Sequence, residues 1–124
     1  MLVQVTVRVD GREVGSQDRE VSGTAAEIEE ITREVLARAG RMVLDCAFAQ
    51  VAEETPAPCC CGHTMRNCGF RTMGVQTTCG KVPVSRRRYR YERCGRELYP
   101  ADAQMCCGRH RITQPLAKRV CQLA

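Results

Sequence analysis

Apolar and polar residues alternate at the start of the chain. The valines of this segment share one parity: Val3, Val5, Val7 and Val9. Because successive side chains of a strand point to opposite faces, the alternation predicts a half-buried β-strand. Asp10 and Gly11 follow, a pair that supplies the positive φ angles of a tight hairpin turn. We therefore expect residues 12–21 to return as a second strand, interrupted near Gly15.

Helical spacing replaces this alternation after residue 23. Thr24 and Glu27 form a capping-box pattern, and we expect a helix from there to about Glu54. Its apolar positions recur at steps of three and four: Ile28, Ile31, Val35, Ala39, Met42, Cys46 and Ala49. This stripe is expected to pack on the hairpin, and the alternative is a homodimer seam formed by helix 24–54. Gly40 weakens the middle of the helix, where a break is possible.

The second part of the chain predicts a further hairpin and a short helix. Residues 70–78 and 81–90 have strand character and meet at a Cys-Gly turn, and residues 114–123 form a last helix. The fold class is therefore α+β. We expect a β-hairpin plus long helix (1–55), a Pro-rich linker (56–58), a zinc-ribbon-like basic module (59–102), and a loop leading into a helix (103–124).

Charge and cysteine content change abruptly at the predicted linker. Residues 1–58 carry 6 Lys and Arg against 11 Asp and Glu, a net charge of −5. Residues 59–124 carry 13 against 3, a net charge of +10, together with nine of the ten cysteines. Such an asymmetry predicts a polyanionic partner for the second part.

The cysteines are expected to be reduced. The N-terminus lacks the pattern of a signal peptide, and no run of 18 apolar residues predicts a membrane span, so we expect a cytoplasmic protein with no membrane partner. Clustered thiols in that compartment favour a metal site, and a secreted disulfide framework is the alternative.

Two Cys-Gly clusters flank the predicted hairpin as in a zinc ribbon, which binds Zn through thiolates from two turns. Cys59, Cys60 and Cys61 precede it and Cys94 follows it. Tyr91 stands where the second turn needs its first cysteine. Three thiolates are obvious, those of Cys59, Cys61 and Cys94. The candidates for the fourth ligand are Cys60, His63, Cys68, Cys79 or the Cys106–Cys107 pair, which is itself a possible second half-site.

A basic run between the clusters predicts nucleic-acid binding. The candidate phosphate contacts are Arg86, Arg87, Arg88, Arg90 and Arg93, and Tyr89 is the candidate for stacking on a base. On a strand, Arg86, Arg88 and Arg90 share one face. The alternative is a solvated strand edge whose charges prevent aggregation.

Catalysis is not expected from these residues. The acidic side chains of the second part are Glu92, Glu97 and Asp102, and their spacing forms no pair suited to two-metal phosphoryl chemistry.

The ordered motifs of the second part resemble one family. Residues 61–66 (Cys-Gly-His-Thr-Met-Arg) and 77–89 are followed by 94–102 (Cys-Gly-Arg-Glu-Leu-Tyr-Pro-Ala-Asp) and 111–117. Together they are similar to the N-terminal region of bacterial insertion-sequence transposases of the Kra type. That region has a Cys-Gly knuckle, a strand–Gly–strand, an Arg-Arg-x-Tyr-x-Cys-x-x-Cys segment and Pro-x-Asp.

The resemblance implies a non-catalytic DNA-binding portion of a transposase, from a truncated or split gene. The family's RNase H-like domain would begin where this chain stops. It also implies DNA and a full-length transposase as partners, and it assigns Asp102 to the Pro-x-Asp element. Tyr91 departs from the family's second knuckle, which has cysteine there. The alternative function is a dimerisation or protein-interaction module without its own nucleic-acid binding.

Overall fold

The computed structural model describes residues 1–60, 62–91, 93–105 and 111–123, apart from the side chains of Cys60, Met105 and Leu123. Helices and strands are both present, which confirms the α+β class. The elements in order are β1 (Leu2–Val9), β2 (Arg12–Glu20), α1 (Ala25–Glu54), β3 (Cys59–Cys60), β4 (His63–Thr64), β5 (Arg66–Thr77), β6 (Gly80–Tyr91), β7 (Arg96–Leu98), α2 (Asp102–Met105) and α3 (Gln114–Leu123).

The N-terminal hairpin forms as the alternation predicts. β1 and β2 pair antiparallel around Asp10 and Gly11, whose φ angles are 51° and 79°. The valines of β1 are half-buried and the residues between them are exposed. The expected interruption of β2 is a one-residue bulge, because Val7 pairs with Gly15 while Arg8 pairs with Glu13. The strand continues through it.

Helix α1 is capped and continuous. Thr24 Oγ1 accepts a hydrogen bond from the Glu27 amide at 3.3 Å, which confirms the predicted start. The helix runs through Gly40 without the break that its low helix propensity allowed. A Cβ at Gly40 would overlap the sulfur of Cys79 in the β5–β6 turn. The glycine therefore serves a close approach between helix and turn, which Arg41 strengthens by donating from Nη1 to the Cys79 carbonyl at 2.8 Å.

The two ends of α1 use different faces. The first half packs on the hairpin as expected: Val35 is buried, and its carbonyl accepts a hydrogen bond from Gln17 Nε2 at 2.8 Å. In the second half, Leu44 and Phe48 pack against the other sheet. At about 100° per residue they lie roughly opposite Cys46 on the helix. The prediction of one continuous stripe is wrong for this half, where Ala49 is exposed.

The second sheet has the order β5-β6-β7, with antiparallel neighbours. The main hydrophobic core on this sheet consists of Met73 and Val75 on β5, Val82 and Val84 on β6, and Ala52 and Ala101 from outside the sheet. Because Ala52 belongs to α1, the helix contributes to this core as well as to the hairpin. The change in composition at residues 56–58 is therefore not a boundary between two separately packed units.

The remaining segments attach to the second sheet. β3 and β4 form a short hairpin, and Met65, just after it, donates its amide to the Pro58 carbonyl at 2.9 Å. The predicted C-terminal helix is present as α3, held by a parallel bridge between Gln76 and Ile112. No helix in the described ranges has the length and apolar character that crossing a membrane requires.

Candidate nucleic-acid interface

Strand pairing fixes how the basic run is divided between the two faces of the sheet. Arg86 lies directly opposite Arg71, and Arg90 lies directly opposite Arg66. Residues directly opposite each other share a face, as do alternate residues of one strand. Arg86, Arg88 and Arg90 therefore share a face, as predicted from their spacing. Two further arginines from β5 join them, and this face also carries the apolar core.

Arg86 belongs to the protein interior. It is only 6% exposed, its Nε lies 2.6 Å from Asp102 Oδ1, and its guanidinium carbon lies 3.8 Å from the centroid of the Tyr99 ring. The expectation that Arg86 contacts a phosphate is therefore wrong. The basic face begins as an extension of the apolar core, and Arg86 fills the position that follows Val84.

Two acidic residues neutralise this part of the face. Glu97 forms an ion pair with Arg88, whose side chain is 32% exposed. Asp102 pairs with Arg86, and burial raises the pKa of the Asp102 carboxyl by more than the charges of Arg86 and Arg111 lower it. Arg88 is thus already engaged, in contrast to its predicted role as a phosphate contact.

Tyr89 does not present its ring to solvent. It is 3% exposed and forms a small second core with Met65, against which Tyr91 and Leu98 pack. A ring in this position cannot stack on a base, so the prediction for Tyr89 is wrong. Its ring packs against Met65, the residue that follows the β3–β4 hairpin.

Three arginines line a cleft of about 330 Å³ at the end of the sheet. Its walls are Thr64, Arg66, Arg90, Tyr91 and Arg93. Arg90 and Arg93 are exposed and form no ion pair with any residue that the structure describes. Arg66 is the member that sequence inspection missed. The register could have found it, because Arg66 faces Arg90 across the β5–β6 pair.

Arg87, the last predicted phosphate contact, lies on the other face of the sheet. It is half-buried and directly opposite Phe70. Its guanidinium carbon lies 5.6 Å from the centroid of the Phe70 ring, which is within the range of a cation–π contact.

The two predicted metal-binding turns are brought together. The rings of His63 in the first turn and Tyr91 in the second are stacked, with centroids 6.2 Å apart and planes at 15°. Cys59 and Cys94 are exposed. Cys61 and the Cys106–Cys107 pair lie outside the described residues, as does the side chain of Cys60.

Among the side chains that the structure does describe, no three His, Cys, Asp or Glu residues lie close enough to hold a metal ion. Tyr91 offers a phenol in the position where a structural zinc site needs a thiolate. The donors therefore fit zinc only if Cys61 and a further residue complete the set.

Comparisons with protein-family models, with curated proteins and with solved structures found no match for this chain.

Proposed function

We propose that this chain is a non-catalytic DNA-binding module, the N-terminal portion of an insertion-sequence transposase, acting in the cytoplasm. Arg90, Arg93 and Arg66 contact phosphates in the cleft at the end of the β5–β6–β7 sheet. The observation that carries the proposal is the pairing of Arg66 directly opposite Arg90. The pairing brings two guanidinium groups to the wall of the same cleft, where both can contact one phosphate chain.

The neighbouring arginines supply the contrast that supports this proposal. Arg86 and Arg88 lie on the same face but are neutralised by Asp102 and Glu97. In the cleft, Arg90 and Arg93 form no such ion pair within the described ranges, in the part of the chain with a net charge of +10. Guanidinium groups match the geometry of phosphate oxygens, so DNA suits this cleft.

The proposed function does not include cleavage of a DNA strand, because two of the acidic residues are held in the same ion pairs. Of the three acidic residues in the second part, Glu97 and Asp102 each hold an arginine. Carboxylates engaged in this way do not gather a metal ion at a reacting phosphate. Metal-dependent nicking of DNA by the purified chain would overturn this part of the proposal.

The salt dependence of DNA affinity tests the main proposal. Each phosphate contact releases condensed counterions, which gives a log–log slope of about −0.9 on duplex DNA, so three contacts predict about −2.7. Lys118 and Arg119 are an exposed pair on α3, and replacing both by glutamine is the matched control for loss of charge alone. This control should leave the salt slope unchanged. A slope near zero, or no affinity for DNA, would contradict the proposal.

Zinc is the proposed cofactor, bound by Cys59, Cys61, Cys94 and Cys60. The adjacency of the two turns, marked by the stacked rings of His63 and Tyr91, supports this proposal. Bound zinc would brace the cleft by joining the turns on either side of it. No other role is assigned to it.

Substituting the residue at the missing ligand position tests the zinc proposal. Tyr91→Cys should raise both zinc content and melting temperature, because it adds a thiolate. Tyr91→Phe, which keeps the ring, is the control and should change neither by metal binding. Equal zinc content in Tyr91→Cys and Tyr91→Phe would contradict the assignment.

A second function, dimerisation through α1, is favoured by an exposed apolar strip on that helix. Ile28, Leu36 and Val43 are 39%, 65% and 48% exposed, and their spacing places them within about one quarter of the helix circumference. The strip would pair with a second copy or with a full-length transposase. Sedimentation equilibrium of the wild type and of Leu36→Lys tests this, and a wild-type monomer at high concentration would exclude the homodimer.

A further inference from the structure

Phe70 is a large aromatic side chain that the fold leaves on its surface. It is 60% exposed although it lies in the middle of the chain's longest strand pair. It lies directly opposite Arg87, whose guanidinium stands over one side of its ring. Met73, three residues further along β5, is buried in the core, so the strand itself can present apolar residues to the interior. The exposure of Phe70 follows from its position on the opposite face.

The backbone around Phe70 holds the ring in place. The register of β5 shifts between Asn67 and Phe70, where Gly69 adopts a φ of 97°. Asn67 Oδ1 accepts a hydrogen bond from the Gly69 amide at 2.9 Å, which fixes this bulge. Bulges re-aim the side chains beside them. Phe70 is therefore a positioned side chain at a defined irregularity of the strand.

The charged group that lies beside the ring is cationic. Arg87 is the cross-strand partner of Phe70 and lies on the same face. The carboxylates of Glu97 and Asp102 are held by Arg88 and Arg86 on the other face of the sheet. An exposed aromatic ring beside guanidinium groups is the combination that binds single-stranded nucleic acid, with a base on the ring and phosphates on the cations.

We infer that Phe70, together with Arg87, is a stacking platform for an unpaired base, and that the DNA bound by this chain is single-stranded at that point. The inference rests on the proposed DNA-binding function and assigns the stacking role to Phe70 rather than Tyr89. Bases inside a duplex have both faces covered by their neighbours, so only an unstacked base can lie on Phe70. β5 is an outer strand of its sheet, and both Phe70 and Arg66 lie on it. One DNA strand following this edge contacts the platform on one face and the cleft on the other.

A tryptophan reporter tests the stacking directly, because the chain contains no tryptophan. In Phe70→Trp, saturation with an oligothymidylate should quench the indole emission through contact with a base, while a duplex of equal length should not. Unquenched emission at saturating single-stranded DNA would overturn the inference. The high exposure of residue 70 allows this substitution, and circular dichroism verifies the fold.

Affinity measurements supply the second test. Phe70→Ala and Phe70→Leu should each weaken binding of single-stranded DNA by about 5- to 150-fold, because base–aromatic stacking contributes about 1–3 kcal/mol. Duplex affinity should change less than about twofold. Val120→Ala, which alters an apolar residue of similar exposure (56%) on α3, is the control and should change neither.

The possible outcomes separate the inference from the function beneath it. Wild-type protein that binds neither form of DNA would overturn both. Wild-type binding that is unaffected by Phe70→Ala, or that is weakened equally for single-stranded and duplex DNA, would overturn only the stacking platform. Leucine in place of Phe70 that retains full single-stranded affinity would show that apolar volume, rather than a ring face, is what matters, and would also overturn it.

Discussion

Two pairs of arginines, on β6 and in the turn that follows it, have opposite surroundings. Arg86 and Arg88 face Asp102 and Glu97 within ion pairs, and Arg86 also lies against Tyr99. Further along, Arg90 and the nearby Arg93 line a cleft with Arg66, and neither Arg90 nor Arg93 has a carboxylate partner among the described residues. In the sequence these arginines are equivalent members of one basic run. In the structure the first pair builds the fold and the second is available to a ligand.

The difference shows that a basic run is not a unit of function. The core face of β6 ends at Val84, and the next position on that face, Arg86, still contacts Tyr99 and Asp102 of α2, so this arginine is buried and has a counterion. By position 90 the face is open to solvent. The accessibility of an arginine in this run is therefore set by where the covering segments end, rather than by arginine content.

The largest expected effect is on the free energy of unfolding, which substitutions in the two pairs should change by different amounts. Arg86→Ala should lower the free energy of unfolding by about 2–4 kcal/mol, because it removes a buried side chain together with its ion pair and its contact with Tyr99. Arg90→Ala is the same change at an exposed site, and it should alter the free energy of unfolding by no more than about 0.5 kcal/mol. Urea denaturation followed by circular dichroism measures both. Equal losses would remove the distinction between the pairs.

The converse experiment measures DNA affinity. The double variant Arg90→Gln and Arg93→Gln should weaken binding at least about tenfold at moderate salt. It removes two charged contacts, and each contributes about 1.5–3 kcal/mol. Its salt slope should become less steep by about 1.8, the contribution of two phosphates. Fluorescence anisotropy at several salt concentrations gives both values. Binding that survives unchanged would place the phosphate site elsewhere on the molecule.

A smaller effect concerns the pH dependence of the first pair. Burial raises the native pKa of Asp102 above its ordinary value of 3.8, so the folded state holds this proton more tightly than the unfolded state. The resulting stabilisation is complete below pH 3.8 and is lost as the pH rises through the raised native pKa. The stability of the wild type relative to Asp102→Asn should therefore fall across that window. A relative stability that rises with pH would mean that the Arg86 ion pair outweighs burial.

The sequence predicted the positions of the helices and strands better than it predicted which of their faces are buried. The alternation of β1 and the Thr24 cap depend on neighbours in the chain, and both are confirmed. The apolar stripe of α1 fails after Met42 because the helix meets two different sheets on two different faces. Periodicity within a single helix cannot reveal how many surfaces will cover it.

The residue types of the candidate site could be predicted from the sequence, but the burial of each side chain could not. Residue types and spacing placed the arginines and tyrosines on one strand, as the structure has them. Burial of Tyr89 requires Met65 and Leu98 to arrive from other segments, and exposure of Phe70 follows from its position on the sheet face opposite the core. Both depend on long-range pairing. The exposed aromatic residue is therefore Phe70, whereas the position of Tyr89 among the arginines favoured Tyr89.

The smallest expected effect converts one member of the first pair into a member of the second. Glu97→Gln should release Arg88, which is already 32% exposed, and so add a phosphate contact. We expect affinity for DNA to rise a few-fold and the salt slope to steepen by about 0.9. Stability should fall by less than about 1 kcal/mol, because the ion pair is partly solvated. Glu53→Gln, which removes an exposed carboxylate from the C-terminal end of α1, controls for net charge. If both variants raise affinity equally, the gain comes from overall charge, and Arg88 is not held back by its partner.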